Sequence, residues 1–207
     1  MHDPDEPISD NNKQSKKEGW RSIASTLFII IAAPVIALLL INFVFQSYEV
    51  DGPSMESTLQ NTDRLIVWKM PRTIAKIKGS DYIPNRGDII IFKRHGAVTE
   101  TGSTDKQLIK RVIGLPGDRV VIKSGKVTIY NEENVNGFNP DAGVDHGNNT
   151  AHTDGNVDIT VNEDEVFVLG DNRSNSLDSR FFGAVKAHEI VGKLEYRIFP
   201  FNKFEQF

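Results

Sequence analysis

The sequence predicts a mainly β protein, in which an N-terminal transmembrane helix precedes an antiparallel β-sheet domain with a small inserted polar β subdomain. Three observations support this fold class. A long uncharged apolar stretch lies near the N-terminus, short runs rich in valine, isoleucine and aromatic residues follow it, and a long polar segment interrupts those runs. The chain has 207 residues, enough for one anchor and one domain of ordinary size.

The apolar stretch runs from Ile23 to Phe45 and contains no charged side chain. At about 1.5 Å per residue, a helix of this length crosses a hydrocarbon core of roughly 30 Å. Pro34 is compatible with a spanning helix. A cleaved secretory signal is the alternative, but its apolar region is normally only about 7 to 15 residues long. The pattern therefore favours a retained anchor.

The segments on either side of this stretch differ in charge. Residues 1–22 are polar and charged, and we expect a flexible tail because they have too few apolar side chains to fold. Lysine and arginine precede the span and acidic residues follow it, so the positive-inside rule predicts a cytoplasmic N-terminus. Residues 46–207 would then form a domain on the outer face of the cell membrane, behind a single span.

The rest of the chain is dominated by short β-like runs separated by turn signals. The predicted strands cover residues 64–68, 88–92, 108–113, 119–122, 126–130 and 165–169. The sequence around Ser124-Gly125 is typical of a hairpin turn. Residues 131–162 are rich in Asn, Asp, Gly and Thr, which predicts a polar excursion within an inserted subdomain at about 123–164.

Composition excludes several classes of function. The net charge of −4 does not supply the positive charge that nucleic-acid binding normally requires. The absence of cysteine excludes a disulfide framework, a thiol nucleophile and a cysteine-ligated metal. The five histidines are scattered without the spacing of a metal site, so we predict no metal and no cofactor.

Candidate chemistry comes from a serine and a lysine in distant segments. Ser54 follows a Gly-Pro pair just beyond the apolar stretch, so it should lie in an open turn. Lys110 and Arg111 are neighbours in an apolar strand, and because neighbouring side chains point to opposite faces, one of them must face the apolar side or a partner. Burial lowers the pKa of a lysine, and a neutral amine beside Ser54 could act as its general base. A surface lysine on an edge strand is the simpler alternative.

These residues resemble the conserved boxes of type I signal peptidases, membrane-bound serine proteases that remove signal peptides from exported proteins. The resemblance lies in five segments that follow one another in order along the chain. They are Gly52-x-Ser54-Met55-x-x-Thr58-Leu59, Asp63–Val67, Arg86–Phe92, Lys110–Asp118 and Gly170-Asp171-Asn172-Arg173-x-x-Ser176-x-Asp178-Ser179-Arg180.

The resemblance implies a role for each matching residue. Ser54 would be the nucleophile, Lys110 its general base and Ser176 the group that orients the amine. The Ser54 N–H and the Gly52 region would bind the oxyanion. The implied supporting residues are Asp178 and Arg180 as an ion pair, with Arg111 as a further member. The implied lining of two shallow pockets, for small side chains at positions −1 and −3 of the substrate, is Tyr48, Val50, Met55, Leu59, Ile91 and Ile109.

Two positions depart from the family pattern. Ser57 stands where proline is common, so the turn after the nucleophile has less intrinsic rigidity. Gly52 stands where some members carry a serine hydroxyl that donates to the oxyanion. The second donor would then have to be a backbone N–H or a water molecule.

The implied partners are preprotein signal peptides and the lipid bilayer, with the protein export channel as a further candidate. Phe199, Phe201, Phe204 and Phe207 cluster at the C-terminus, and we expect some of these rings, with Phe181 or Phe182, to lie at the lipid interface. Two other functions stay open. One is a self-cleaving Ser-Lys protein of the repressor type, which the apolar span disfavours. The other is an anchored, non-catalytic protein that binds preproteins or the export channel.

Overall fold

A computed structural model describes residues 11–99, 102–142 and 152–207. Within these ranges, the side chains of residues 11–24 and 95–105 are not described. Two compact units divide at residue 43. The helices are α1 (Asn11–Phe43), α2 (Met70–Ile77) and α3 (Ser179–Phe182). The strands of the described residues are β1 (Phe45–Glu49), β2 (Arg64–Trp68), β3 (Ile89–Thr99), β4 (Gly102–Gly114), β5 (Arg119–Lys123), β6 (Lys126–Tyr130), β7 (Val157–Thr160), β8 (Glu165–Leu169), β9 (Val185–Lys186), β10 (Ile190–Phe199) and β11 (Glu205–Gln206).

The first unit contains most of α1, and the segment Ser25–Phe43 is long and apolar enough to cross a membrane. The helix begins at Asn11, so residues 11–22, which we expected within a flexible tail, are helical. Lysine, glutamine and glutamate in this region are good helix formers, and they extend the helix beyond its apolar part. Residues 1–10 of the predicted tail lie outside the described residues. The helix ends at Phe43, and Phe45, which we expected in the span, begins β1.

The second unit is built on antiparallel strands, which confirms the predicted fold class. The main sheet has the order β1-β2-β10-β3-β4-β8-β9, and β11 adds to β10. Strands β3 and β4 continue beyond their predicted ends as a long ribbon. Their polar outer halves pair through backbone hydrogen bonds, which do not require the apolar side chains by which we recognised the strands.

A smaller sheet of order β6-β5-β7 forms the inserted part. The predicted hairpin is present, because β5 and β6 pair from Arg119–Tyr130 to Lys123–Lys126. The sheet begins at Arg119, before the predicted boundary at 123, and it includes β7, which the sequence did not indicate. Residues 143–151 of the polar excursion lie outside the described residues.

Among the described residues, four groups of buried apolar side chains hold the second unit together, and the smallest of them is Val67, Ile91 and Val191. The first joins the two sheets through Ile113, Val120, Ile122, Val127, Ile129, Val161, Phe167 and Leu169. The second covers one face of the main sheet with Ile90, Phe92, Val112, Val166, Val168, Val185 and Ile190. The third consists of Val50, Met55, Leu59, Leu65, Ile89 and Leu194, and it lies under the turn that carries Ser54.

The aromatic residues that we expected at the lipid interface differ in exposure. Phe201 and Phe181 are exposed by 83% and 69%, and Phe204 by 63%. Phe207 instead packs against the third core group, and the Phe182 ring lies 6.0 Å from that of Phe92. Lipid contact of the exposed rings stays a prediction.

Candidate active site

Ser54 lies in a turn between β1 and β2 that is fixed from below by apolar side chains. Met55 and Leu59 are fully buried in the core beneath it. Gly52 adopts φ of +100°, a conformation that side chains other than glycine disfavour, and its N–H donates to Asn61 Oδ1 at 3.0 Å. The backbone of the turn is therefore held in place, and it fixes the position of the Ser54 hydroxyl.

Lys110 lies on β4 with its amine against this turn. Its Nζ is 2.7 Å from Ser54 Oγ and 2.8 Å from the Ile109 carbonyl oxygen. The residue is only 2% exposed, although lysine is almost never buried without a partner. The structure thus brings together the two side chains that the sequence singled out, across 56 positions of the chain.

Burial lowers the pKa of the Lys110 amine from 10.5 to about 8, because water that would solvate the ammonium form is excluded. The negative charges of Asp178 and Asp171 oppose this shift, and the positive charge of Lys106 adds to it. About a tenth of the amine is therefore uncharged at pH 7, and this fraction rises to about half at pH 8, as a base for a serine hydroxyl requires.

The loop after β8 holds the Ser54 turn from the side. The Asn172 N–H donates to the Ser54 carbonyl oxygen at 3.1 Å, and Asn172 Nδ2 donates to the Pro53 carbonyl oxygen at 3.1 Å. The Thr58 hydroxyl donates to Asp171 Oδ2 at 2.6 Å. A Cβ at Gly170 would lie 2.5 Å from the Ser54 carbonyl oxygen, so the close approach requires glycine there.

Arg111 forms an ion pair with a different residue from the one that we expected. We expected one residue of the Lys110–Arg111 pair to be buried or paired, and both are, since Arg111 is 8% exposed. Arg111 does not join Asp178 and Arg180; its Nε and Nη2 bind Asp171 at 2.9 and 2.7 Å. The strand bearing the lysine and the loop bearing Asp171 are therefore joined by a buried bidentate ion pair.

Asp178 and Arg180 form a second buried ion pair. Arg180 Nε lies 2.8 Å from Asp178 Oδ1, and Nη2 lies 2.8 Å from Oδ2. The Gly170 N–H donates to the same carboxylate at 3.1 Å. The pair thus fixes both ends of the loop that contacts the Ser54 turn.

Ser176 lies in this loop, but it does not make the bond that we expected. Its Oγ is buried without a hydrogen-bond partner among the described residues. The acceptors around the Lys110 amine are Ser54 Oγ and the Ile109 carbonyl oxygen instead. A Cβ on Gly170 would lie 2.2 Å from Ser176 Oγ and 2.5 Å from the Ser54 carbonyl oxygen, so this hydroxyl is close to the Ser54 turn.

Of the two expected oxyanion donors, the N–H groups of Ser54 and Gly52, only one is without an acceptor among the described residues. The Ser54 N–H donates to no acceptor among the described residues, so it is available to a substrate oxygen. The Gly52 N–H is already bound to Asn61. Gly52 therefore supplies the turn geometry, and its N–H is not the second donor in this arrangement.

A cleft of about 530 Å³ opens beside Ser54 and Lys110. Four of the expected pocket residues line it, namely Tyr48, Val50, Ile91 and Ile109. Met55 and Leu59 do not, because both are fully buried below the turn. Sequence reasoning missed further lining residues, among them Leu65, Leu177, Phe182, Arg94 and Lys106, which carried no distinguishing local pattern.

The polar excursion is tied to the active-site loop by an arginine that sequence reasoning left without a role. Arg173, whose side chain is fully buried, binds both Asp141 oxygens at 2.6 and 2.7 Å and the Thr153 hydroxyl at 2.8 Å. Its Nε donates to the Gly170 carbonyl oxygen at 3.1 Å. The inserted part therefore helps to position the backbone that contacts the Ser54 turn.

Comparison with known proteins assigns the chain to a family. The model of the family described as signal peptidase, peptidase S26, matches residues 21–199. Signal peptidase I of Bacillus caldolyticus is 37% identical over 84% of this chain and 90% of its own length. Signal peptidase I S of Bacillus subtilis is 34% identical over 88% of this chain and 92% of its own length.

A crystal structure of a signal peptidase I from Enterococcus faecalis has 30% sequence identity and a TM-score of 0.36, covering 56% of this chain and 99% of that one. The family match spans every residue of the site described above, and each of the two Bacillus relatives covers most of the chain. The chain belongs to the signal peptidase I family of S26 peptidases and is a serine protease.

Proposed function

We propose that the chain is a membrane-anchored endopeptidase that removes N-terminal signal peptides from exported preproteins with a Ser54–Lys110 dyad. The observation that carries this proposal is the 2.7 Å contact between the buried Lys110 amine and the Ser54 hydroxyl. The names of the curated relatives, all signal peptidases, support the substrate class.

The chemistry follows from the geometry. Uncharged Lys110 accepts the Ser54 proton as Oγ attacks the scissile carbonyl carbon, and the Ser54 N–H donates to the oxyanion that forms. The resulting ammonium gives its proton to the leaving amine, which leaves an acyl ester on Ser54. Lys110 then takes a proton from water, whose oxygen attacks the ester; the ammonium returns this proton to Ser54 Oγ as the ester bond breaks, and the signal peptide leaves with a free carboxylate.

The cleft favours an extended substrate with small side chains. β1 pairs only with β2 among the described strands, and residues 106–110 of β4 precede the part of that strand that pairs with β8. An extended peptide between these two free edges could add to the sheet through backbone hydrogen bonds. Tyr48, Val50, Ile91 and Ile109 leave shallow apolar spaces, which would exclude large residues at positions −1 and −3.

The candidate membrane span determines on which side of the membrane the proposed cleavage takes place. The helix segment Ser25–Phe43 would span the membrane with the N-terminus in the cytoplasm, since Lys13, Lys16, Lys17 and Arg21 precede it. The second unit would then lie on the outer face, where the cleavage site of an exported preprotein emerges. The export channel stays a candidate partner.

The test is incubation of the purified full chain with a preprotein, with the cleavage point mapped by mass spectrometry. We expect wild type to cut after a small residue, and Ser54→Ala and Lys110→Arg to be inactive, because a guanidinium stays charged at the pH of the assay. Lys93→Arg, on the exposed side of the neighbouring strand, is the matched control and should retain activity. Cleavage by the Ser54→Ala protein would contradict Ser54 as the nucleophile, and absence of cleavage by the wild type would leave the non-catalytic binding protein as the better interpretation.

A further inference from the structure

The short helix α2 has an apolar side that the second unit covers only in part, since Met70 is half-buried while Ile74 and Ile77 are exposed. Met70, Ile74 and Ile77 recur at helical spacing on one side of it, and Lys76 lies on the opposite side. Ile74 is 42% exposed and Ile77 is 80% exposed. No residue of α2 is buried, whereas a helix on the surface of a soluble domain normally turns its apolar stripe to the core.

The same segment is strongly basic. Lys69, Arg72, Lys76 and Lys78 lie within ten consecutive residues, and that stretch contains no acidic residue. Lys76 and Lys78 are exposed and form no ion pair with the described residues. A basic helix with an uncovered apolar side is typical of segments that lie in the surface of a membrane containing anionic lipid.

Two hydrogen bonds within the second unit place α2 beside the point where the chain leaves the candidate span. The Lys69 N–H donates to the Val44 carbonyl oxygen at 2.7 Å. The Thr73 hydroxyl donates to the carbonyl oxygen of Phe43 at 3.0 Å, and Phe43 is the last residue of the span. If that span crosses the bilayer, as the proposed function requires, its last residue lies at the depth of the lipid headgroups, and α2 lies within reach of them.

We propose that α2 is a second membrane contact, in which Ile74 and Ile77 insert among the lipids while Lys76 and Lys78 bind anionic phospholipid headgroups. The bilayer is the fitting partner because it supplies apolar and anionic surface together at this depth. With two contacts to the bilayer, the span and α2, the second unit would be restrained in rotation. The cleft would then keep a constant height above the membrane.

The test uses the full chain, which contains no cysteine, so that one introduced cysteine carries the only label. Ile77→Cys is labelled with an environment-sensitive fluorophore and reconstituted into phosphatidylcholine vesicles with or without phosphatidylglycerol. We expect a blue shift and quenching by headgroup-proximal spin-labelled lipid, both stronger with phosphatidylglycerol. Val135→Cys, at an apolar side chain exposed by 75% in the inserted part, is the matched control and should stay unquenched.

A charge variant tests the anionic partner. Lys76→Gln with Lys78→Gln should lower the ratio of docked to undocked helix in phosphatidylglycerol vesicles by about 30-fold. The control is Lys123→Gln with Lys126→Gln, at exposed lysines of the β5–β6 hairpin, which should change nothing. Absence of quenching at residue 77, or quenching that is independent of phosphatidylglycerol and of the two lysines, overturns the proposal.

The readout is separate from the proposed function. Flotation of the protein with vesicles reports the span, and cleavage of a short peptide in detergent reports the dyad. A protein that floats and cleaves but shows no quenching contradicts only the role of α2. A protein that does not float contradicts the anchor and the α2 contact together, whereas quenching without cleavage contradicts only the peptidase mechanism.

Discussion

Replacing Lys110 with methionine should inactivate the protein and at the same time stabilise it. The side chain is 2% exposed, and burial lowers the pKa of its amine from 10.5 to about 8. Below pH 8 the unfolded chain therefore binds a proton more tightly than the folded chain, and folding is penalised. A shift of this size corresponds to about 3 kcal/mol at pH 7, since each pKa unit is worth about 1.4 kcal/mol.

The penalty has a defined dependence on pH. It is fully present below the folded-state pKa of about 8 and disappears as the pH rises to the unfolded-state value of 10.5. Methionine has a similar length and no charge, so the variant does not carry this penalty, although it loses the contacts to Ser54 and Ile109. We expect Lys110→Met to raise the free energy of unfolding by about 1–3 kcal/mol at pH 7, and by about 2 kcal/mol less at pH 9.5.

The measurement is denaturant unfolding of wild type and variant in a nonionic detergent, at both pH values, followed by tryptophan fluorescence. The difference between the two proteins isolates residue 110, because all other groups titrate in both. Lys93→Met, at an exposed lysine of β3, should change the free energy by less than about 0.5 kcal/mol at either pH. A Lys110→Met difference that is the same at pH 7 and pH 9.5 would refute the desolvated amine.

Three further outcomes test the site. The kcat/KM of the wild type should rise with pH through about 8, as the amine of Lys110 loses its proton; a rise centred near 6.5 would point to a histidine instead. Asp141→Asn should lower kcat about tenfold or more with little change in KM, because the buried arginine of the active-site loop loses its carboxylate. Asp154→Asn, at an exposed carboxylate of the same insert, should match wild type, and equal losses in the two variants would contradict this positioning role. Gly170→Ala should abolish cleavage and cost about 1–3 kcal/mol of stability, because the added methyl group would lie 2.2 Å from Ser176 Oγ; an active protein with unchanged Tm would contradict the close approach.

Sequence reasoning predicted those features that depend on short stretches of chain. The strands β2, β6 and β8 have the predicted bounds, because each is a compact run of β-branched and aromatic residues. The ends of α1, β3 and β4 were misjudged where polar residues continue a helix or a strand, since hydrophobic pattern does not mark such ends. β7 was missed because four residues of mixed polarity resemble a loop.

The sequence by itself determined that a serine follows an apolar span in a glycine-proline turn, and that a lysine interrupts an apolar strand. Only the tertiary structure decided which groups meet, namely that Lys110 reaches Ser54, that Arg111 pairs with Asp171, and that Arg173 binds Asp141. The physical reason is the distance along the chain over which each kind of interaction acts. Local propensity and side-chain periodicity act over a few residues, whereas a partner 56 or 60 positions away is selected by the packing of whole sheets and by the cost of leaving a buried charge unpaired.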